Sequence, residues 1–510
     1  MLSHMIRRLS KSRILSYRQC PKRLWLEVHR PECRDDSASQ RAFSIGQQVG
    51  EIARKVYDPL GSGHVIDVEA LGHEAALEES AVFLANGHGP VMEAGLSAEG
   101  ALAYVDVMLP DRSNGQLQWR MVEVKSAASV KSHYLDDIAV QGFIAAHSGT
   151  PLSSISIAHI DTRFVYRGDG NYQGLFREVD VTEQTRSRFA QVREWIIGAQ
   201  QVMALTEEPV IATGPQCANP FPCPFRHHCH VVKESPAYPL DHLPYFRHTR
   251  RSELNAQGIH DLREVPDRYL NDLQRRVKQC SIEESTFFDA DGAAADLAVY
   301  GFPAYFLDFE AVQPPIPLWK DTSPYQACPF QYSLHVIDAD SKIEHHAFLD
   351  LSGNDPRKCL VESLVAHCGT QGPIFAYNAT YEASTIAQFA KQFPEHGVAL
   401  RGIIARLVDL QPIANKRFYH PMQQGSWGLK SVLPALCPEL SYDRLEGVSD
   451  GRAAGDAYLE AIASTTTPER RAQLHEQLHA YCHLDTWAMV RMWQIFRGGE
   501  TDLTSGHKIC

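Results

Sequence analysis

A stretch rich in Pro, Cys, His and Phe, residues 213–229, divides the chain into two segments in which predicted strands and helices alternate. Such a composition favours loops and ligand clusters over regular elements. A chain of 510 residues is also long for a single domain. We therefore predict the fold class α/β, with one domain at 1–234, a mostly helical connector at 235–298 and a second domain at 299–510.

Composition limits the classes of function. With 49 Lys and Arg against 61 Asp and Glu, the net charge of −12 excludes a protein-wide positive field, so any contact with nucleic acid must use local patches. The sequence contains no run of about 18 apolar residues and no signal-peptide pattern. We expect a soluble, cytoplasmic protein with no membrane partner, in which the 12 cysteines are reduced thiols or metal ligands.

A first group of polar residues lies on two predicted strands, 100–109 and 118–125, joined by a turn. The side-chain period of two places Glu123 and Lys125 on one face. Asp106 lies among apolar neighbours on the preceding strand, where an unpaired carboxylate is costly. A divalent cation shared by Asp106 and Glu123 would compensate that cost, and Lys125 would orient water or balance phosphate charge. An isolated Glu-x-Lys triplet is otherwise typical of a half-exposed strand.

A second group consists of cysteines. The loop-forming stretch contains three, with five residues in each interval: Cys217, Cys223 and Cys229. Cys20 is the best candidate for a fourth ligand, because it would join the two ends of the first domain, and Cys33 is a competitor. Neighbouring histidines offer alternative ligands: His227, His228 and His230. Four thiolates suit zinc or a [4Fe-4S] cluster, and spacing alone does not choose between them.

A third group is acidic. Asp308 and Glu310 share one side of the predicted strand 304–309, and a pair of Mg²⁺ or Mn²⁺ ions would relieve their repulsion. Glu382 opens a predicted helix after a strand. Tyr481 and Asp485 are spaced to share one face of a helix. Each short pattern alone is common in solvated or capping positions, and their order in the chain makes them informative.

Together with a following helix that carries Asp137 and Gln141, the first group resembles the RecB-like nuclease domain of the PD-(D/E)xK superfamily, which has a restriction-endonuclease-like fold. The resemblance implies these catalytic residues, of which the first two bind metal: Asp106, Glu123, Lys125 and Gln141. Many relatives carry a metal-binding His on an early helix after a Gly. This chain instead reads Gly-Gln-Gln-Val-Gly-Glu at 46–51, where Glu51 is a possible substitute.

One cysteine near the start and three after the nuclease core is similar to the arrangement of iron-sulfur RecB-like nucleases, including AddB-type helicase-nucleases and CRISPR-associated exonucleases. That likeness implies a structural [4Fe-4S] cluster held by Cys20, Cys217, Cys223 and Cys229, with zinc as the alternative.

The third group resembles the DEDDy class of DnaQ-like 3′-5′ exonucleases, which have an RNase H-like fold. The resemblance implies a set of catalytic metal ligands: Asp308, Glu310, Glu382 and Asp485. It also implies that Tyr481 positions the attacking water. Glu382 departs from the usual Asp of that family. Residues 408–410 and 427–430 fall where such exonucleases carry supporting segments.

These resemblances imply a metal-dependent nuclease with two active sites that hydrolyses DNA, single-stranded or from its ends. Within the connector, residues 253–262 resemble a helix-hairpin-helix. Two alternatives stay open. The first alternative to a DNA nuclease is a nucleic-acid-binding or scaffold protein in which one or both sites are degenerate. The second is a nuclease that acts on RNA.

Overall fold

A computed structural model of the protein describes residues 9–35, 40–229 and 236–498. The chain is of the α/β class and forms two compact units. The first unit comprises Met1–Lys233 and Pro314–Tyr325, and the second comprises Glu234–Gln313 and Gln326–Cys510. Within the described ranges, no helix is both long enough and apolar enough to cross a membrane.

The first unit is built on a mixed sheet whose strands follow the order β2-β3-β4-β5-β6-β7, with β1 paired to β4. The strands are β1 (Leu9–Ser10), β2 (His64–Val65), β3 (Val91–Ala98), β4 (Ala101–Asp111), β5 (Gln118–Lys125), β6 (Leu152–Ile160) and β7 (Phe176–Asp180). The helices are α1 (Lys11–Gln19), α2 (Pro21–His29), α3 (Gln40–Tyr57), α4 (Val68–Asn86), α5 (Ser132–His147), α6 (Thr182–Arg186), α7 (Phe189–Met203) and α8 (Arg226–Cys229).

The core of this unit explains why its central elements form. Strand β4 alternates buried Ala103, Val105 and Val107 with half-buried Tyr104 and Asp106, so one face is apolar and the other carries polar groups. Helix α5 is buried from residue 137 to residue 145 and packs on that sheet. The antiparallel pairing of β4 with β5 confirms the hairpin that the sequence predicts.

The second unit contains a five-stranded sheet in the order β11-β10-β9-β12-β13, in which β9, β10 and β11 are antiparallel and β12 and β13 are parallel to β9. The strands are β8 (Phe287–Phe288), β9 (Ala304–Val312), β10 (Cys328–Ile337), β11 (Ile343–Leu349), β12 (Ile374–Ala376), β13 (Leu407–Asp409) and β14 (Phe418–Tyr419). Strands β8 and β14 form a separate pair.

The helices of the second unit are α9 (His248–Ala256), α10 (Asp272–Glu283), α11 (Ala290–Ala298), α12 (Arg357–His367), α13 (Thr380–Gln392), α14 (Gly397–Ile404), α15 (Gln411–Arg417), α16 (Leu429–Leu436), α17 (Gly451–Ile462) and α18 (Pro468–Phe496). Helices α12, α17 and α18 contact its five-stranded sheet. Thr467 caps α18 by accepting a hydrogen bond from Arg470 N, and Pro468 occupies its first turn. The long helix α18 contacts β9, β10 and β11.

Several segments differ from the sequence prediction. Strands β3 and β11 are not predicted, because their sequences contain small residues or neighbouring histidines that lack a strand-like pattern. Residues 253–262, which resemble a helix-hairpin-helix, contain only the end of α9, and the next α-helix begins at Asp272 after two short 3₁₀ turns. Residues 236–298 of the predicted connector, 235–298, lie within the second compact unit.

Candidate active sites

The first candidate site lies where the β4–β5 ladder ends. The last pair of that ladder is Val107 with Val122, and Asp106 and Glu123 are the next residues on each strand. Val124 N donates to Asp106 Oδ2 at 2.7 Å, which holds the two strand ends together. The Glu123 side chain is only 2% exposed and accepts a hydrogen bond from Gln141 Nε2 at 2.7 Å. Helix α5 therefore fixes the orientation of the Glu123 carboxylate.

Two lysines pair with two of the carboxylates of this site. Lys125 Nζ lies 2.7 Å from Glu123 Oε1 and donates a short hydrogen bond to Asp137. Lys11 Nζ, from the first turn of α1, lies 3.0 Å from both Glu123 Oε1 and Asp137 Oδ1. Three carboxylates, counting Asp106, thus face two ammonium groups.

The pKa shifts agree with this arrangement. Burial raises the pKa of Asp106 well above its ordinary value, and the charge of Glu123 raises it further. The pKa of Asp137 lies below its ordinary value, because Lys11 and Lys125 outweigh the opposing effect of burial. A cation beside Asp106 would therefore favour its ionised form near neutral pH.

A cavity of about 740 Å³ opens onto this site. Asp106, Glu123 and Lys125 line it, and so does Glu51 of α3. Glu51, the predicted substitute for the missing His, therefore lines the same cavity as Asp106, Glu123 and Lys125, whereas Gln141 does not line it.

The second candidate site is a cluster of carboxylates in the second unit. Ligand oxygens of Asp308, Glu310 and Asp485 lie within 4.8 Å of one another. Asp308 and Glu310 share one face of β9, and Asp485 reaches them from α18. Glu310 and Asp485 are 6% and 7% exposed, so water compensates little of their mutual repulsion.

Aromatic and basic groups surround these carboxylates. Tyr442 OH donates a short hydrogen bond to Asp485 Oδ1, and Tyr481 also hydrogen-bonds Asp485. Lys430 Nζ lies over the rings of Tyr442 and Tyr481, 5.0 and 4.8 Å from their centroids. Its charge lowers the pKa of Asp308, Glu310 and Asp485 and so opposes the effect of burial. Lys430 belongs to the segment that the sequence marks as supporting.

Glu382 completes the acidic surroundings from the first turn of α13. Its side chain is 3% exposed, and its Oε2 atom has no hydrogen-bond partner among the described residues. Its charge raises the pKa of Asp308, although its carboxylate lies outside the 4.8 Å group. Asp409 Oδ1 accepts from Asn378 N at 2.9 Å and so anchors the turn before α13. A buried carboxylate oxygen without a partner is the kind of donor that a cation would satisfy.

Burial raises the pKa of each carboxyl group here. The pKa of Asp308 lies well above its ordinary value, and Asp485, Glu310 and Glu382 add to the effect of desolvation. The pKa of Glu310 rises to about 8, through burial and then the charge of Asp485. Burial raises the pKa of Glu382 to about 7 and that of Asp485 to about 6. Without a cation, the site therefore retains protons near neutral pH.

This leads to a prediction about stability. The folded protein holds protons at these carboxyl groups that the unfolded chain releases near pH 4.5, so the contribution of this cluster to metal-free stability should fall as pH rises from about 4.5 to 8. A cation must displace these protons, so its apparent affinity should rise about tenfold per pH unit for each proton released. Excess Mn²⁺ should therefore raise the melting temperature, relative to EDTA, more at about pH 8 than at about pH 6. Thermal unfolding of the wild type and Asp308→Asn measures this, and an equal Mn²⁺ effect at both pH values would contradict it.

The predicted cysteine ligands come together in the first unit. Cys20 lies between α1 and α2, Cys217 ends a 3₁₀ turn and Cys229 ends α8. These three and Cys223 line one small cavity, together with Phe225. Burial raises the pKa of the Cys223 and Cys229 thiols, and neighbouring cysteines add to the shift.

Cys33, the predicted competitor of Cys20, does not line this cavity, although it packs in the same apolar cluster as Cys223 and Cys229. His228 Nε2 is hydrogen-bonded to Glu208 at 3.2 Å and also does not line it. His227 is likewise outside the lining, and His230 lies outside the described residues.

Sequence reasoning missed several residues of these sites. Lys11 joins the first site through tertiary contact and has no motif of its own. Tyr442 lies outside the three groups of residues singled out in the sequence, and its local sequence does not mark it as a site residue. A third cluster, His335, His345 and His483, was also missed. The sequence signal for this cluster is a histidine at every fourth position of α18. His475, His479 and His483 therefore share one face of that helix, and His483 belongs to the cluster.

Residues 305–428 match a protein family described as a domain of unknown function (DUF2779). The matched segment contains Asp308, Glu310 and Glu382 and ends just before α16, whereas Tyr481 and Asp485 lie beyond it. No curated protein matches the chain.

Proposed function

We propose that the chain is a metal-dependent nuclease that hydrolyses phosphodiester bonds of DNA, with one active site in each unit. The observation that carries the proposal is the buried carboxylate cluster of the second unit. Asp308, Glu310 and Asp485 converge within 4.8 Å, and the nearby Glu382 presents an oxygen that lacks a hydrogen-bond partner among the described residues. Oxygen donors of this kind are those that Mg²⁺ and Mn²⁺ prefer.

In the second-unit site, Asp308, Glu310, Glu382 and Asp485 would hold the divalent cations. Bound Mg²⁺ or Mn²⁺ would stabilise the negative charge on the attacking and leaving oxygens of the phosphodiester. Tyr442 and Tyr481 fix the Asp485 carboxylate through their hydroxyl groups. Tyr481 would also position the attacking water, and Lys430 would balance the negative charge that develops on the phosphate.

In the first-unit site, Asp106 and Glu123 would hold one cation. Gln141 holds the Glu123 carboxylate through Nε2 and so limits its rotation. Lys125 lies at the cavity wall, where its ammonium group would orient the attacking water or contact the scissile phosphate. Asp137 keeps that ammonium group in place.

The sheet arrangements support finer fold assignments. A mixed five-stranded sheet, with the first acidic pair on its central strand β9, suits an RNase H-like exonuclease of the DEDDy class. An antiparallel hairpin β4–β5, followed by α5 and by the parallel strand β6, suits a PD-(D/E)xK nuclease of the RecB-like kind.

We further propose that the four cysteines hold a [4Fe-4S] cluster. A single zinc ion with Zn–S bonds of about 2.3 Å requires its sulfur ligands to lie within about 4.6 Å of one another. Among the described residues, no three of these sulfur atoms belong to a group that lies within 4.8 Å. A cluster with four irons spreads its ligands further apart, so this separation is compatible with it, and zinc stays the alternative.

The cluster should be detectable directly. Cys223→Ser should remove the visible absorption of anaerobically purified protein and lower its melting temperature, because the loop at 213–229 then loses its tie to Cys20. Cys359→Ser, which changes an exposed cysteine outside the cavity, is the matched control and should alter neither property. Stoichiometric zinc without iron in the wild type would contradict the assignment.

The function is tested with protein purified anaerobically and incubated with 5′-labelled and 3′-labelled single-stranded and duplex DNA, and with RNA of the same sequence. We expect cleavage of DNA in Mg²⁺ or Mn²⁺ and none in EDTA. Label position reports polarity. Intact DNA under all conditions would refute DNA hydrolysis, and cleavage of RNA alone would assign the protein to ribonucleases.

One observation favours a second candidate for the first unit, a binding site without hydrolysis. Lys11 pairs with both Glu123 and Asp137, so an ammonium group already occupies part of the space in which a cation would be held. DNA binding by the first-unit site without cleavage would support this reading.

A further inference from the structure

Three histidines meet on one face of the second-unit sheet. His335 on β10 and His345 on β11 are directly opposite one another in the antiparallel register. Their ring centroids are 4.5 Å apart. His483 of α18 approaches both, with ring centroids 4.8 Å from His335 and 4.6 Å from His345. One nitrogen from each ring lies within 4.8 Å of the other two.

Hydrogen bonds orient two of these rings. His335 Nδ1 is bonded to Thr486 Oγ1 at 2.8 Å, and His345 Nε2 is bonded to Ser333 Oγ at 2.8 Å. Ser333 Oγ and Thr486 Oγ1 are themselves 2.6 Å apart. These two rings therefore each have one nitrogen fixed by a hydroxyl group and keep a second nitrogen. Histidine ligands of metals typically use this arrangement, in which an outer partner sets the tautomer and the ring orientation.

The ligand atoms of the cluster indicate which class of metal ion it would bind. Its three ligand atoms are nitrogens, with no carboxylate in the group. Imidazole suits Zn²⁺ and other late transition metals, whereas Mg²⁺ and Mn²⁺ prefer oxygen. His335 is buried, while His345 and His483 are half-buried, so two of the three rings are partly open to solvent.

We propose that His335, His345 and His483 form a binding site for a zinc-class divalent ion, separate from the carboxylate site. The ion would tie α18 to β10 and β11. This link would connect the histidine cluster to the carboxylate site. Ser333, which bonds to His345, is directly opposite Asp308, and Thr486, which bonds to His335, follows Asp485. The three histidines are thus positioning residues for the helix that carries Asp485. The metal site can be tested without any assay of hydrolysis, so its failure is distinguishable from failure of the nuclease proposal.

The test is a count of bound zinc. Full-length protein is loaded with Zn²⁺ in excess Mg²⁺, which occupies oxygen ligands, then freed of unbound metal and analysed by elemental mass spectrometry. His345→Ala should carry one zinc per chain less than the wild type, and the increase in melting temperature caused by Zn²⁺ should disappear. The matched control is His346→Ala, the next residue on β11, which stacks on His367 and lies outside the cluster. It should bind zinc as the wild type does.

A second measurement uses the unchanged protein, in case His345→Ala does not fold. Diethyl pyrocarbonate modifies accessible imidazole nitrogens, and peptide mass spectrometry reports the rate at each histidine. Zn²⁺ should slow modification of His345 and His483 and leave His346 unaffected. Equal zinc counts in wild type and His345→Ala, or unchanged modification rates at His345 and His483, would overturn the proposal.

Discussion

Asp308→Asn should reduce hydrolysis by the second-unit site by about a thousandfold, since the lost stabilisation of transition-state charge is several kcal/mol. The same change should raise the stability of the metal-free protein by about 1 kcal/mol, because it removes one member of a buried, mutually repelling cluster. Loss of activity together with a gain in stability is the signature of a residue kept for function. Initial rates on end-labelled DNA and urea unfolding in EDTA measure the two effects.

Asp340→Asn is the matched control, because Asp340 is an exposed carboxylate in the turn between β10 and β11. It should change stability by less than about 0.5 kcal/mol and leave hydrolysis unchanged. If Asp308→Asn cleaved DNA at the wild-type rate with the wild-type products, the second-unit site would not be catalytic.

Lys125→Ala should abolish the products of the first-unit site and also destabilise the protein. Lys125 Nζ lies 2.7 Å from the buried Glu123 carboxylate and pairs with Asp137, so its removal leaves Lys11 as their remaining cation in the site. Breaking a buried ion pair costs about 3 kcal/mol. Product analysis in an Asp308→Asn background isolates the first site, and urea unfolding gives the change in stability.

Lys131→Ala provides the comparison, since Lys131 is an exposed lysine just before α5. We expect wild-type products and stability from it. An inert Asp308→Asn, Lys125→Ala double variant would assign all hydrolysis to the two sites. If the first-unit products persisted in Lys125→Ala, this lysine would neutralise Glu123 and Asp137 but would not be required for hydrolysis.

Much of each candidate site could be predicted from short sequence patterns. The alternation within β5 put Glu123 and Lys125 on one face, and the same logic held for Asp308 and Glu310 on β9. The spacing of Tyr481 and Asp485 put both on one face of α18, where they meet through a hydrogen bond. These relations are local, because strand and helix periodicity fixes side-chain direction over a few residues.

Long-range relations were less predictable. Lys11 lies 112 positions before Glu123, and no periodicity relates them. The histidine cluster combines two strands and a helix, and only the spacing on α18 was visible beforehand. Residues 314–325 are a similar case: they interrupt the second unit in sequence yet pack in the first, where Tyr166 N donates to Thr322 O at 2.9 Å.

By itself, the sequence determined the α/β class, the hairpin β4–β5 and the faces on which the acidic residues lie, because hydrophobic periodicity and turn chemistry are local properties. Tertiary structure alone decided which charges neutralise one another and how deeply they are buried. It thereby decided that Asp137 is held ionised by two lysines, whereas the pKa of Glu310 rises to about 8. Both depend on desolvation and on distances between residues far apart in the chain, which no local pattern encodes.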